Sequence, residues 1–441
     1  MRIRALLLLS LATAFPARAA DSLPPVAPYP PPASHPQQLV QRETGNRSGE
    51  IAPLPPVRFD LRTALQWTLT RNPNLVAQRQ DIGVSAEAWA VARRFPTSLN
   101  PTVSLDVRPW VFEPAPGGGV RQIQTLVNVT WSQPLELGHR TALRASIAQA
   151  SYDQTRFTVL QAELAALVQT YRLHETALYR RDKLKVAQAL VEFDQRLVET
   201  LQRQVEAGRA APADLVLARV EHQTTRQQLE IATHEYVSAL SDLRIQLGIP
   251  EYAASAEPGD DLTLPEAIPA GDDEALVRMA LTNRPEILAA QALVSGSREA
   301  VALARAERFP VPSVGPAYEK DESGVSFYGL TASMPMPILN AGGPLVRQRE
   351  AEHQRDCIVL AQLRQRTAAQ VRATLVKWRD AQDLVRRTRA LVEPIRGQTT
   401  RMEHLYAAGE TEIIKLLQVR QRLLDTENGR LDALWAATQS H

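Results

Sequence analysis

HRTALRASIAQASYDQTRFTVLQAELAALVQTYRLHETALYRRDKLKVAQALVEFDQRLVETLQRQVEA, residues 139–207, contains neither proline nor glycine. Those are the two strongest helix breakers. The stretch predicts a single helix of roughly 100 Å, at ~1.5 Å per residue. Globular helices average about 11–12 residues, so a compact domain has no room for this one. It must lie along neighbours for most of its length. Its apolar residues recur in heptads: Leu184, Val191, Val198 and Val205 form one row, and Leu164, Tyr171 and Leu178 another. That is the spacing of a coiled-coil seam.

Downstream, Gly208 stops the helix and Pro212 opens a return helix over 212–247, with Leu229, Ala232, Tyr236, Leu240, Leu243 and Leu247 on one face. Upstream, two shorter helical patterns follow Asp60 and are divided by Asn72-Pro73; Phe95-Pro96 ends the second. Between them and the long helix the period changes to two. Val103, Leu105 and Val107 alternate with polar residues, as do Ile123, Thr125, Val127, Val129 and Trp131. This predicts a β-hairpin over about 102–132. Strands of about ten residues suit a tilted membrane crossing, with Trp110 and Trp131 as interfacial aromatics. The pattern alone fits an amphipathic hairpin on a soluble domain equally well.

The same order then recurs. Residues 59–248 form one unit and 274–438 a second, joined by an acidic, proline-containing connector over 249–273. Arg284-Pro285 echoes Asn72-Pro73, Phe309-Pro310 echoes Phe95-Pro96, and Ala408-Gly409 echoes Ala207-Gly208. The second unit is expected to hold a hairpin over about 311–334, with poor alternation and interrupting prolines. A long helix over 345–408, kinked by Pro394 and Gly397, and a return helix over 410–437 should follow. The fold class is mainly α with a small β part, internally duplicated.

The N-terminus reads as an export signal over 1–20: Arg2 and Arg4, an apolar core from Ala5 to Ala14, and Ala17-Arg18-Ala19. A proline-rich leader over 21–58 follows. The chain carries 50 basic and 48 acidic residues; removing Arg2, Arg4 and Arg18 leaves 47 against 48. A near-neutral chain gives no footprint for nucleic acid. Cys357 is the only cysteine, so no disulfide forms within the chain. No catalytic constellation stands out, and the chain reads as neither an enzyme nor a cofactor protein.

Four strands per chain cannot sit in lipid as an open sheet. Two chains would close a filled barrel, whereas three would give twelve strands and a lumen. At this point the chain resembles the TolC-like outer membrane efflux proteins. The residues that carry the likeness are Leu61-Arg62-Thr63-Ala64-Leu65 with Asn72-Pro73, the junction Gln133-Pro134-Leu135-Glu136-Leu137-Gly138, its counterpart Met336-Pro337-Ile338-Leu339-Asn340-Ala341-Gly342, and the two Ala-Gly turns. The resemblance implies a homotrimer, with a β-barrel in outer-membrane lipid and an α-barrel in the periplasm. It implies an exit duct for drugs, metal ions or other small molecules, working with a periplasmic adaptor (membrane fusion) protein and an inner-membrane pump. The Pro-Leu-Glu-Leu-Gly junction is most similar to members serving heavy-metal or other resistance-nodulation-division pumps.

The resemblance places the periplasmic entrance and adaptor-docking end at Gly208, Asp214, Leu215, Tyr406, Gly409, Lys415 and Gln418. Related chains often carry acidic residues where this one has Lys415 and Gln418. Asp214 and Lys415 are repeat-equivalent, so they are expected to pair between neighbouring hairpins. The cluster Arg180, Arg181, Lys183 and Lys185 is expected on a solvated helix face. His353 and Cys357 lie at helical i, i+4 spacing, but two ligands are too few for a conventional metal site, so no metal is expected. The competing reading is a soluble periplasmic coiled-coil adaptor or structural protein. It accounts for one long hairpin and leaves the strand pairs without a role.

Overall fold

The computed structural model describes residues 58–440, apart from 95, 109–110, 115–116, 119, 124, 250–255, 265–272, 322 and 409. The export signal, nearly all of the leader, Trp110 and Gly409 lie outside the described residues. Helix α1, Leu61–Arg71, starts where the Asp60 carboxylate accepts from the Thr63 amide at 2.9 Å. Asn72 then serves two helices. Its amide closes the last turn of α1, and its side-chain oxygen accepts from Asn74 and Leu75 to open α2, Pro73–Ala92. Pro73 sits at the first helical position, where its missing N–H costs nothing.

Strands β2, Thr102–Arg108, and β5, Leu126–Pro134, pair antiparallel; β3, Val111–Pro114, and β4, Val120–Ile123, extend the hairpin as a small ladder of their own. Helix α3 spans Arg140–Glu206 and α4 spans Pro212–Leu247. The turn between them has Gly208 at φ +70, a left-handed conformation that glycine adopts without a Cβ clash. Its amide donates to the Val205 carbonyl at 3.0 Å, and that of Arg209 to Gln204 at 2.8 Å, so two terminal carbonyls are satisfied.

The second half follows with α5, Asp273–Asn283; α6, Pro285–Ala306; β7, Ser313–Lys320; β8, Ser326–Ser333; α7, Gly343–Ala407; and α8, Ile413–Ser440. α7 continues through Pro394 as one helix. By length and composition α6 could cross a membrane, but it packs along α3 and α7. The connector is more than a linker. Glu257–Pro258, β6, pairs in parallel with Arg58–Phe59, β1; Asp260 accepts from the Leu61 amide at 2.7 Å; Ala256 and Leu262 are buried.

Three small apolar clusters lie along the long helices in place of one central core. One gathers Ala64, Ala177, Leu243 and Leu247; one gathers Leu178, Trp378, Leu431 and Ala437; one gathers Leu197, Leu201, Ala218, Ile413 and Leu416 near the Gly208 turn. This is how staves pack: each contact layer holds only what adjacent helices can cover.

Candidate channel wall and entrance

The four strands form one antiparallel sheet in the order β2-β5-β7-β8. Directly opposed residues share a face. Val103 opposes Trp131, Leu105 opposes Val129 and Val107 opposes Val127. Across the next ladder Val129 meets Tyr318, and across the last Tyr318 meets Tyr328 and Pro316 meets Leu330. One face is therefore apolar across all four strands except in the row farthest from α3, where Lys320 and Ser326 follow Val127. The other carries Thr102, Ser104, Asp106, Asn128, Thr130, Glu319, Thr331 and Ser333, with Gly315, Ala317 and Gly329 as small spacers and Leu126 and Phe327 as its apolar exceptions. The apolar face is uncovered: Leu105 is 65% exposed, Tyr328 83% and Leu330 89%. A largely apolar face on an antiparallel sheet, with a mostly polar face behind it, is the wall of a membrane β-barrel. Trp131 lies on the apolar face near the strand end that leads to α3, which fits an aromatic at the periplasmic interface.

The alternation of β7 and β8 is hard to read in sequence because its inward residues are small rather than polar. Pro316 falls where the β5–β7 ladder is interrupted, between the pairs Thr130–Ala317 and Gln133–Val314. There a missing N–H removes no bond to β5.

The junction motif ties the sheet to the helices. The Leu135 amide donates to the Pro312 carbonyl at 2.7 Å. Glu136 accepts from the Thr141 hydroxyl and pairs with Arg144 at 2.6 Å. Burial pushes the Glu136 carboxyl up, but these hydrogen bonds and the Arg144 charge outweigh it and hold it below its ordinary range. Arg140, buried at the start of α3, donates to the carbonyls of Ala306, at 2.8 Å, and Phe309. The two halves of the chain are thus cross-tied at the barrel's base.

Farther along α3 the basic cluster departs from the expected solvated face. Arg180 pairs with Glu235 of α4, Arg181 donates to the carbonyls of Pro258 and Asp260, and Lys183 pairs with Asp432 of α8 at 2.8 Å. Only Lys185 keeps to its own helix, on Asp182. The partners come from elements distant in sequence, so a single-helix reading could not see them. Burial pushes Asp432 up, but hydrogen bonds from Lys183 and Tyr179 win and hold it below its ordinary 3.8. Lys183 is lowered by burial, and the bond to Asp432 more than restores it, to above its ordinary 10.5. A depressed carboxylate stabilises above its unfolded pKa and stops doing so as pH falls through the folded value. The raised lysine stabilises below 10.5 and is lost above its folded value. Asp432→Asn is therefore expected to melt below wild type at neutral pH. The gap should close as pH drops below 3.8, as followed by thermal melts across pH. Half of the Asp432 side chain is solvent-exposed, so the gap should stay under about 1 kcal/mol.

At the far end, Leu215 and Tyr406 pack on the Leu197–Leu416 cluster. Asp214 is half-buried, whereas Gly208, Lys415 and Gln418 are exposed. Within one chain, no ion pair among the described residues joins Asp214 to Lys415. Asp214 instead acts on Tyr406, whose phenol is pushed up first by burial and then by that carboxylate. The strongest polar feature here was not singled out in the sequence. Asp194 of α3 is 1% exposed and takes a hydrogen bond from Arg420 of α8 on one oxygen and from Thr225 of α4, at 2.8 Å, on the other. Arg420 also donates to the Leu190 carbonyl at 2.8 Å and lies 3.7 Å from the centre of the Phe193 ring. Burial lowers the guanidinium against the opposing pull of Asp194. One buried charge pair thus clasps three helices from both halves. A signal existed: Ile413, Leu416 and Arg420 fall on one helical face, so an arginine occupies an apolar row.

The outer membrane efflux protein family model matches residues 64–248 and 276–441, one segment in each half. The chain belongs to that family. It is an outer-membrane efflux channel of the tripartite-pump type, non-enzymatic, with its long helices extending into the periplasm. Outer membrane efflux proteins form trimeric channels in such pumps. Among curated relatives, the cobalt-zinc-cadmium resistance protein CzcC of Cupriavidus metallidurans is 22% identical over 324 residues, which is 72% of this chain and 73% of that one. Among solved structures, CusC superposes with a TM-score of 0.70 at 16% identity, over 90% of this chain and 93% of CusC. The outer-membrane channel OprN gives 0.71 at 16% identity, over 88% and 92%. The CmeC channel of Campylobacter jejuni gives 0.66 at 14%, over 86% and 83%. At these identities the superpositions establish the fold.

Proposed function

We propose that this efflux protein works as a homotrimeric exit duct for heavy-metal cations, which reach it from an inner-membrane pump through a periplasmic adaptor. The free edges of the sheet support the trimer most directly. β2 and β8 each pair on one side only among the described strands. Unpaired strand edges are untenable in lipid. Three copies of a four-stranded sheet bring twelve strands, enough to enclose a lumen between the polar faces.

The likeness to CzcC supports metal cations as the cargo. The entrance and docking end would comprise Gly208, Asp214, Leu215, Tyr406, Gly409, Lys415 and Gln418. Asp214 and Lys415 would pair between neighbouring hairpins, as their matched repeat positions and opposite charges favour.

The test has two parts. Mass measurement of the detergent-purified protein should give three chains, and a monomer would sink the closure argument. Cells lacking the gene should become sensitive to cobalt, zinc and cadmium. Sensitivity to organic drugs with unchanged metal tolerance would overturn the cargo.

A further inference from the structure

His353 and Cys357 read in sequence as too few ligands for a metal. Their surroundings change that reading. The Cys357 sulfur lies 3.8 Å from Nε2 of His353, and Cys357 is exposed. On the other side of the ring, Nδ1 is 3.0 Å from the Ser297 hydroxyl on α6. The same hydroxyl lies 3.1 Å from the Val294 carbonyl. With its one proton on that carbonyl, the serine oxygen accepts from Nδ1–H, and the Nδ1-protonated tautomer is the one that leaves the Nε2 lone pair free for a metal. A hydrogen bond that fixes the far nitrogen of an imidazole is the arrangement by which metal-ligating histidines are oriented.

The spacing fits as well. Zinc-like ions hold sulfur at about 2.3 Å and imidazole nitrogen at about 2.0–2.1 Å, so two such ligands of a tetrahedral ion stand about 3.6 Å apart. A shift of a few tenths of an ångström closes the difference.

Access follows from position on the helix. At about 100° per residue, Cys357 falls within about 60° of Arg372 and Arg379 around the α7 axis. Those arginines pair with Glu274 and Asp273 of α5. The exposed apolar residues Ile358, Val376, Leu384 and Leu391 lie about 100° or more away. Cys357 therefore lies off this apolar stripe. His353 also lines an open groove of about 630 Å³ between α6 and α7, beside Arg298, Arg305 and Glu350.

We propose that His353 and Cys357 form a surface capture site for a thiophilic divalent cation such as zinc or cadmium, with Ser297 as the positioning residue and water completing the coordination. Binding breaks the S–H bond, forms an S–metal bond and releases the proton to solvent. No redox change occurs. The site goes beyond the duct reading and does not depend on which cargo the channel carries.

The test uses the purified full-length channel in detergent, titrated with cadmium alone. Calorimetry should give one cadmium per chain, and thiolate-to-metal absorption should rise in parallel. Cys357→Ser should abolish the absorption. His353→Ala should weaken binding at least about tenfold, and Ser297→Ala about 10–100-fold at most, as outer-shell partners do. Equal affinity in wild type and His353→Ala would reduce the site to a solitary thiol and overturn the proposal. So would stoichiometric binding that survives Cys357→Ser. Maleimide should label Cys357 in the intact channel, with cadmium protecting it; a thiol that cannot be labelled would also overturn it. These readouts are made on protein, so they stand apart from the metal-tolerance test of the cargo.

Discussion

Asp194→Ala is expected to leave the periplasmic end of the channel unable to close. In planar bilayers its resting conductance should exceed that of wild type several-fold, and the Gly208 turn should become open to protease. The substitution strands Arg420, 7% exposed, beside the Phe193 ring with the Leu190 carbonyl as its one remaining hydrogen-bond partner among the described residues. Removing one member of a buried pair costs about 3–5 kcal/mol, far more than an exposed pair contributes. A trimer would suffer that loss in every chain. Asp194→Asn keeps the Thr225 bond and loses the charge, so it should fall between. Replacing both charges together, Asp194→Leu with Arg420→Met, should recover much of the loss, because no charge then stays buried alone. Wild-type conductance and melting in Asp194→Ala would remove the clasp from any account of closure.

Gly315→Ala is expected to abolish assembly. A Cβ at this position would lie 1.7 Å from the Trp131 carbonyl oxygen and 2.7 Å from its carbon. Both are backbone atoms of the paired strand, so no side-chain rotation relieves the clash. β5 and β7 must separate, and with them the only strand contact between the two halves of the described sheet. The oligomer resistant to detergent should be lost and the chain degraded before insertion. Gly329 on the adjacent strand supplies the control: a Cβ there meets nothing within 4 Å. Gly329→Ala should assemble as wild type. Normal trimers from Gly315→Ala would show that the two strands are not held as closely as the Gly315–Trp131 approach implies.

The long helices are legible in sequence because their evidence is local. Two stretches nearly free of proline and glycine, with heptad rows, leave little alternative to staves. The first hairpin is legible for the same reason, since each outward valine or leucine sits beside an inward polar residue. The second hairpin is not, because Gly315, Ala317 and Gly329 replace polar residues with small ones. Only the cross-strand register reveals one apolar face. Pro394 is expected to kink α7, and the helix stays one element through it; packing against α8 and α6 along its length holds it together where one hydrogen bond is lost. The clasp and the Arg180–Lys183 contacts are hidden for another reason. Asp194 and Arg420 meet across 226 residues of chain, and nothing local in either helix names the partner.

The two free edges of the sheet belong to different halves of the chain: β2 to the first and β8 to the second. Each copy therefore gives one edge and receives another, so a defect at either edge is passed to a neighbour. This has a genetic reading. In a cell making equal amounts of a normal chain and one crippled only at β8, random assembly leaves about one ring in eight wholly normal. Such an allele should be dominant, and its severity should rise with its dose. An allele that destroys the chain before export should be silent beside a good copy.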